Sequence, residues 1–422
     1  MATITAITTQ DARFPMDHGA GVDAVHGNPV YSYAMTHLVS DARHTGSGGA
    51  FTLGSGNELV CMLAQALAQP LIGREIEELM SVWGEISRAL ADHPQYRWLG
   101  PHKGAVHLAL ASITNACFDL WAKSRGLPLW KLLLDLSPEE VVALLDLTYV
   151  EDEIDAQTAL QLLKSVQSTR SGRESVLDHG YPAYDTSVGW FNYDNKKIAN
   201  NVRRAIDDGF TAMKLKVGSK DLSRDLERVD LIREIGGDDI TLMVDANQQW
   251  AWPQAAEACK ALSGLGVYWI EEPIHPDDVL GHQRLAEAIA PTLIAAGEHI
   301  PNRVLFKNMM QAGGAQIIQA DAMRVAGISE FITVSMLARK FGLSVIPHVG
   351  DMGQLHQHLV LFNHIALDLP LAFLEVIPHL ASVFRDPAGV VDGHYQTPRV
   401  PGCSFDLVGI QTTAGVSPVD TS

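Results

Sequence analysis

The chain has 422 residues, 47% of them hydrophobic and 19% charged, which supports a large core and suits two domains or one barrel with an appendage. Its formal net charge of −18 argues against nucleic acid or an anionic membrane surface as partner. It does not argue against a small anionic substrate in a locally positive cleft. The four cysteines, Cys61, Cys117, Cys259 and Cys403, form no CxxC or Cys/His cluster and read as reduced thiols of a cytoplasmic protein.

The opening residues MATITAITTQDARFP have neither the basic start nor the apolar stretch of a secretory signal. No continuous apolar run reaches the roughly 18 residues that a membrane span needs. Residues 1–145 hold strand-like stretches followed by helical ones at 57–73 and 105–126. They are expected to form an α+β domain, joined by part of the segment 380–410. Residues 411–422 read as a disordered tail.

The segment 146–380 has a different texture. Short β-branched or aromatic runs occur at 181–187, 212–217, 241–247, 268–273, 292–299, 315–321, 343–348 and 372–377. Helical stretches such as 195–209 and 328–342 lie between them. From the second run onward, starts recur every 23 to 29 residues, the spacing of βα units. Eight such strands predict a TIM-type barrel.

Catalytic groups of this architecture sit at the C-terminal strand ends. The strands after the first end in Lys214 and Lys216, then Asp245 and Asn247, Glu271, Glu298, Asp321, His348 and Glu375. Asp245, Glu271 and Glu298 come from three successive strands, whose ends lie about 4.8 Å apart and can converge on one cation. An all-oxygen ligand set favours a hard ion, Mg²⁺ first and Mn²⁺ second. Asp321 is placed to orient His348. Lys216, beside Lys214 and a metal, is expected to have its pKa lowered toward neutrality, as a general base requires. His356, His358 and His364 are expected to be helix-surface or core residues without a role.

The motifs KLK (214–216), VDAN (244–247), WIEEP (269–273), GEH (297–299), QAD (319–321) and IPH (346–348) occur in that order. Together they resemble the mandelate-racemase-like members of the enolase superfamily. DARFP (11–15), FTLGSGNE (51–58), RWLGPHKG (97–104) and YPAYDTSVGW (181–190) are most similar to the L-fuconate dehydratase group. The resemblance implies an N-terminal capping domain over a modified (β/α)7β barrel with one Mg²⁺ held by Asp245, Glu271 and Glu298. It also implies a Lys216 base, a His348–Asp321 dyad and a symmetric homo-oligomer. Candidate substrate contacts are Asn247, Glu375, Lys214, Trp98, Tyr184 and His299.

The implied reaction removes the proton α to the carboxylate of a sugar acid, giving an enediolate. The β-hydroxyl is then expelled, yielding a 2-keto-3-deoxy acid. L-fuconate is the first expectation, with L-galactonate or D-arabinonate as related acids and a racemase or epimerase on the same scaffold as alternative. A Schiff-base aldolase using Lys216 would leave the three carboxylates without a purpose.

Overall fold

The computed structural model describes residues 2–16, 19–349 and 352–408; the expected tail at 411–422 lies outside them. The chain opens with an antiparallel sheet of β1 (Ile4–Pro15), β2 (Val30–Ser40) and β3 (Thr45–Thr52). Against it packs the helix Gly104–Ser124, whose contact with β3 is unusually close. A Cβ on Gly48 would lie 2.2 Å from the backbone nitrogen of Ala116, so only glycine lets the two backbones approach. That helix is apolar and long enough to cross a membrane, yet 89% of its most apolar window is buried inside the protein. Its apolarity belongs to the cap core.

Eight parallel strands follow: β4 (Tyr181–Gly189), β5 (Ala212–Lys216), β6 (Thr241–Asp245), β7 (Trp269–Glu271), β8 (Leu293–Ala296), β9 (Ile317–Ile318), β10 (Ser344–Val345) and β11 (Leu374–Val376). Strands β4 to β10 pair in chain order and β11 returns to pair with β4. One helix lies between each consecutive pair, completing the (β/α)7β order. The first of these, Asn195–Asp207, buries Ile198, Val202 and Ala205 on one stripe, and the Asp194 side chain caps it by accepting from Lys197 N at 2.7 Å.

Tyr184, Ala212, Met243, Trp269, Ala295, Ile317 and Ile346, one residue each from β4 to β9 and the end of β10, form an apolar cluster with Phe373 packed on it. Side chains alternate along a strand, so residues two positions on rise from the same face. Those residues are Thr186, Lys214, Asp245, Glu271, Gly297, Gln319, His348 and Glu375. The polar mouth of the barrel is therefore one layer above its apolar floor.

The cap grips the barrel beside that mouth. Phe51 N donates to Met323 O at 3.1 Å. Asn115 donates through Nδ2 to Gly49 O at 3.1 Å and Ala322 O at 3.0 Å, and accepts from Ile328 N at 3.1 Å. The residues after 380 return to the cap, where Phe405 packs on Tyr33 and Cys403 N donates to Asp119 Oδ1 at 2.6 Å.

A buried ion network joins two barrel helices to the segment before the barrel. Arg303, 2% exposed, donates to Glu330 at 2.8 Å and to Asp146 at 2.5 Å. Burial opposes the charge on Glu330, but Arg303 outweighs it and holds the carboxyl well below its ordinary value of 4.5. The stability this contributes is complete above that value and is lost as pH falls toward the depressed one. Replacing Glu330 with Ala should cost about 3 kcal/mol in urea unfolding at pH 7, and the loss should shrink as the pH is lowered below 4.5.

Candidate active site

Lys214 and Lys216 point into the barrel from one face of β5, and each meets carboxylates. Lys214 Nζ, 1% exposed, lies 2.8 Å from Glu271 Oε1 and 2.8 Å from Glu375 Oε1. Burial disfavours its charge, and Glu271 and Glu375 more than compensate, holding its pKa well above that of an ordinary lysine. Lys216 Nζ lies 2.5 Å from Asp245 Oδ2 and donates to Asn247 Oδ1 at 3.1 Å.

The expected lowering of the Lys216 pKa is not found. Burial acts in that direction, but Asp245 overrides it and the pKa is raised. Lys214, which was to supply the repulsion, is itself compensated by its two glutamates, while Asp245 reaches Lys216 directly. Lys216 can serve as a base only when Asp245 is engaged elsewhere.

Ligand oxygens of Asp245, Glu271 and Glu298 lie within 4.8 Å of one another. Glu272, Glu298 and His299 form a second group of the same span, but that group is already satisfied. His299 Nδ1 lies 2.9 Å from Glu272 Oε1 and 3.1 Å from Glu298 Oε1; despite its burial, Glu272 raises its pKa to about 10. The first group is short of positive charge. Burial and Asp245 push the Glu271 carboxyl up to about 8.

Around the mouth, six carboxylates (Asp245, Glu271, Glu272, Glu298, Asp321 and Glu375) face four cationic side chains (Lys214, Lys216, His299 and His348). A divalent, oxygen-loving cation fits both the deficit and the donor set. Backbone strain marks the same place, with Asn247, Gln248 and Glu272 at φ values of 45°, 62° and 42°. Gly297 is required before Glu298, since a Cβ there would lie 2.4 Å from the Gln319 carbonyl carbon.

Across the mouth, His348 Nδ1 lies 2.8 Å from Asp321 Oδ2, and its Nε2 lies 3.4 Å from Glu298 Oε2. Burial would lower its pKa, but Glu298 and Asp321 raise it to about 9, so the ring is protonated at neutral pH. His356, expected to have no role, is buried with Nε2 3.0 Å from Asp321 Oδ1. His358 is the core residue expected, its pKa pushed down to about 3 by burial.

Lys216, Asn247, Glu298, His299, Arg324 and His348 line a cavity roofed by Gly21, Asp23, His26, Tyr31, Phe51 and Leu53 from the cap. Asp23 Oδ2 lies 2.9 Å from His26 Nδ1, and Arg324 donates to Glu298 O at 2.7 Å. Of the expected substrate contacts, Asn247 and His299 line the cavity; Lys214 and Glu375 are buried and do not, and the other two lie elsewhere. Trp98 is 90% exposed on a short 3-10 turn, and Tyr184 is in the apolar floor, with Lys214 Nζ 5.5 Å from its ring centre. Arg324 is not among the expected contacts; only its location in the fold identifies it.

This geometry agrees with the comparisons. Residues 6–133 match the family described as mandelate racemase / muconate lactonizing enzyme, N-terminal domain, and residues 197–409 match the enolase C-terminal domain-like family. The chain is a member of the mandelate racemase/muconate lactonizing enzyme group of the enolase superfamily. It is 38% identical to human mitochondrial enolase superfamily member 1 over 96% of this chain and 93% of that protein. The crystal structure of the human protein superposes with a TM-score of 0.93, covering 96% of this chain and 94% of that one. Over 96% of its length the chain is also 37% identical to L-galactonate dehydratase of Hypocrea jecorina, spanning 92% of it. L-talarate dehydratase of Polaromonas sp. JS666, crystallised with Mg and L-glucarate, superposes with a TM-score of 0.75 at 26% identity, covering 97% and 96% of the two chains.

Mg²⁺ should raise the melting temperature in a scanning fluorescence assay, and EDTA should reverse the rise. Asp245→Asn and Glu271→Gln should abolish the shift, whereas His299→Asn, outside the charge-deficient group, should retain most of it.

Proposed function

We propose that the chain is a Mg²⁺-dependent dehydratase of a sugar acid, with Asp245, Glu271 and Glu298 as metal ligands. The observation that carries the reading is that Lys216, Glu298 and His348 open onto one cavity between cap and barrel. Held by these carboxylates, the cation would supply positive charge beside the substrate carboxylate, and Asp245, engaged in holding it, would leave Lys216 free to act as base. Lys216 Nζ takes the α-proton, and Lys214 and Asn247 steady the carboxylate end. The electron pair left at the α-carbon expels the β-hydroxyl, which leaves as water with the proton of His348 Nε2. The enol product then becomes the 2-keto-3-deoxy acid. Asp321 keeps the His348 ring aimed at the cavity, and Glu375 balances Lys214.

For the substrate we infer an aldonate of L-galacto configuration. L-fuconate is the 6-deoxy form of L-galactonate, so the two share every stereocentre and differ only at the far carbon. Motif similarity favours L-fuconate, while the Hypocrea relative acts on L-galactonate by name. Both polar groups (Asp23, His26, Arg324) and apolar ones (Tyr31, Phe51, Leu53) line the cavity.

A library of sugar acids incubated with Mg²⁺ and scored with semicarbazide should give 2-keto-3-deoxy product from these two acids. Lys216→Ala and His348→Asn should each lower turnover by roughly 10²- to 10⁴-fold. Solvent exchange of the α-proton without keto product from any acid would instead mark a racemase or epimerase.

A further inference from the structure

His356 stands in the first turn of the helix Leu355–Leu367 and is 1% exposed. The Asp321 carboxylate lies between two imidazoles: Oδ2 is 2.8 Å from His348 Nδ1 and Oδ1 is 3.0 Å from His356 Nε2. Met323 N also donates to Oδ1, at 2.7 Å. The ring of Phe331 meets that of His356 edge-on, with centroids 6.3 Å apart, and so limits its orientation.

The Ala322 N–H also points at His356 Nε2, at 3.0 Å, and an Nε2–H there leaves that amide without this acceptor. Nε2 can accept from that amide or donate to Asp321, but one nitrogen does not do both. A bare lone pair aimed at a buried carboxylate is repulsive, whereas an Nε2–H makes a charge-assisted bond about twice as strong as a neutral one. The carboxylate decides the tautomer. An apolar side chain would fill the same space without restraining Asp321.

We propose that His356 is a positioning residue for proton transfer, donating from Nε2 to Asp321 Oδ1 so that Oδ2 stays aimed at His348 Nδ1. With one oxygen held by His356 and Met323, the carboxylate cannot rotate, and the His348 ring keeps Nε2 toward the cavity. The inference rests on His348 and Asp321 acting as the working pair assigned above.

The test begins without substrate, on the full chain labelled with ¹⁵N in its histidine rings. His356 Nε2 should resonate as a protonated nitrogen, and the His348 Nδ1 proton should appear far downfield. His356→Phe should abolish or broaden that downfield signal, whereas His356→Gln, which keeps an N–H donor, should preserve it. In turnover, His356→Phe should lower keto-acid formation roughly 10- to 100-fold, leaving solvent exchange of the α-proton at Lys216 largely intact. His356→Gln should recover most of the loss, and His356→Phe should add little to Asp321→Asn. An unprotonated His356 Nε2, or equal losses in the Gln and Phe variants, would overturn the proposal. If His356→Phe does not fold, the tautomer and the Gln variant still decide. If no sugar acid is turned over, the dehydratase reading fails while the resonances still report on His356.

Discussion

A buried ammonium group, Lys214, is the constraint around which the barrel mouth is built. It stands directly above the apolar floor formed by Tyr184, Trp269 and their neighbours, where an unpaired charge would cost several kcal/mol. Glu271 and Glu375 at 2.8 Å make it tolerable, and they come from strands on either side of β5 in the barrel. The cost of the charge thus imposes a geometry, since both glutamates must reach the barrel axis at the height of Lys214. Asp245, in the same layer, is then left to Lys216. The three-carboxylate group, the lysine pair and the histidine opposite are parts of one linked network that carries more negative than positive charge.

On the proposed function, that layer brings a divalent ion and a general base to the same site. Asp245 faces the metal group on one side and Lys216 on the other, so the charge state of the lysine depends on where the aspartate is engaged. His348 keeps Asp321 as a partner at 2.8 Å even when Glu298 is engaged with a cation. One side of the mouth is poised to give a proton and the other acquires the capacity to take one.

Much of this was legible in the chain itself. The barrel strands announced themselves by short β-branched runs at regular spacing, and their terminal residues by strict alternation, which is a local property. What escaped is long-range. The pKa of Lys216 depends on the reach of Asp245, 29 residues away. The place of Arg324 at the cavity depends on its bond to Glu298 O, 26 residues away. Trp98 and Tyr184 share motifs with functional residues, yet one is on an exposed turn and the other is in the floor. His356 was legible only as a helix residue, because its contact with Asp321 is set by how that helix returns from β10.

The clamp made by Asn115 has a consequence for how such an enzyme can change. It ties the cap helix to Ala322 and Ile328, flanking the loop that holds Asp321 and Arg324. The cap residues over the cavity, Asp23 and His26 among them, lie on a separate loop bonded chiefly to itself. One part of the cap is thus hydrogen-bonded to the loop after β9, and another meets the barrel at a different point, where Phe191 N donates to Val22 O at 2.9 Å. On the proposed function, mutations in the second part would alter which acid is accepted more than they alter the first. The fold separates the inheritance of a reaction from the inheritance of a taste for substrates.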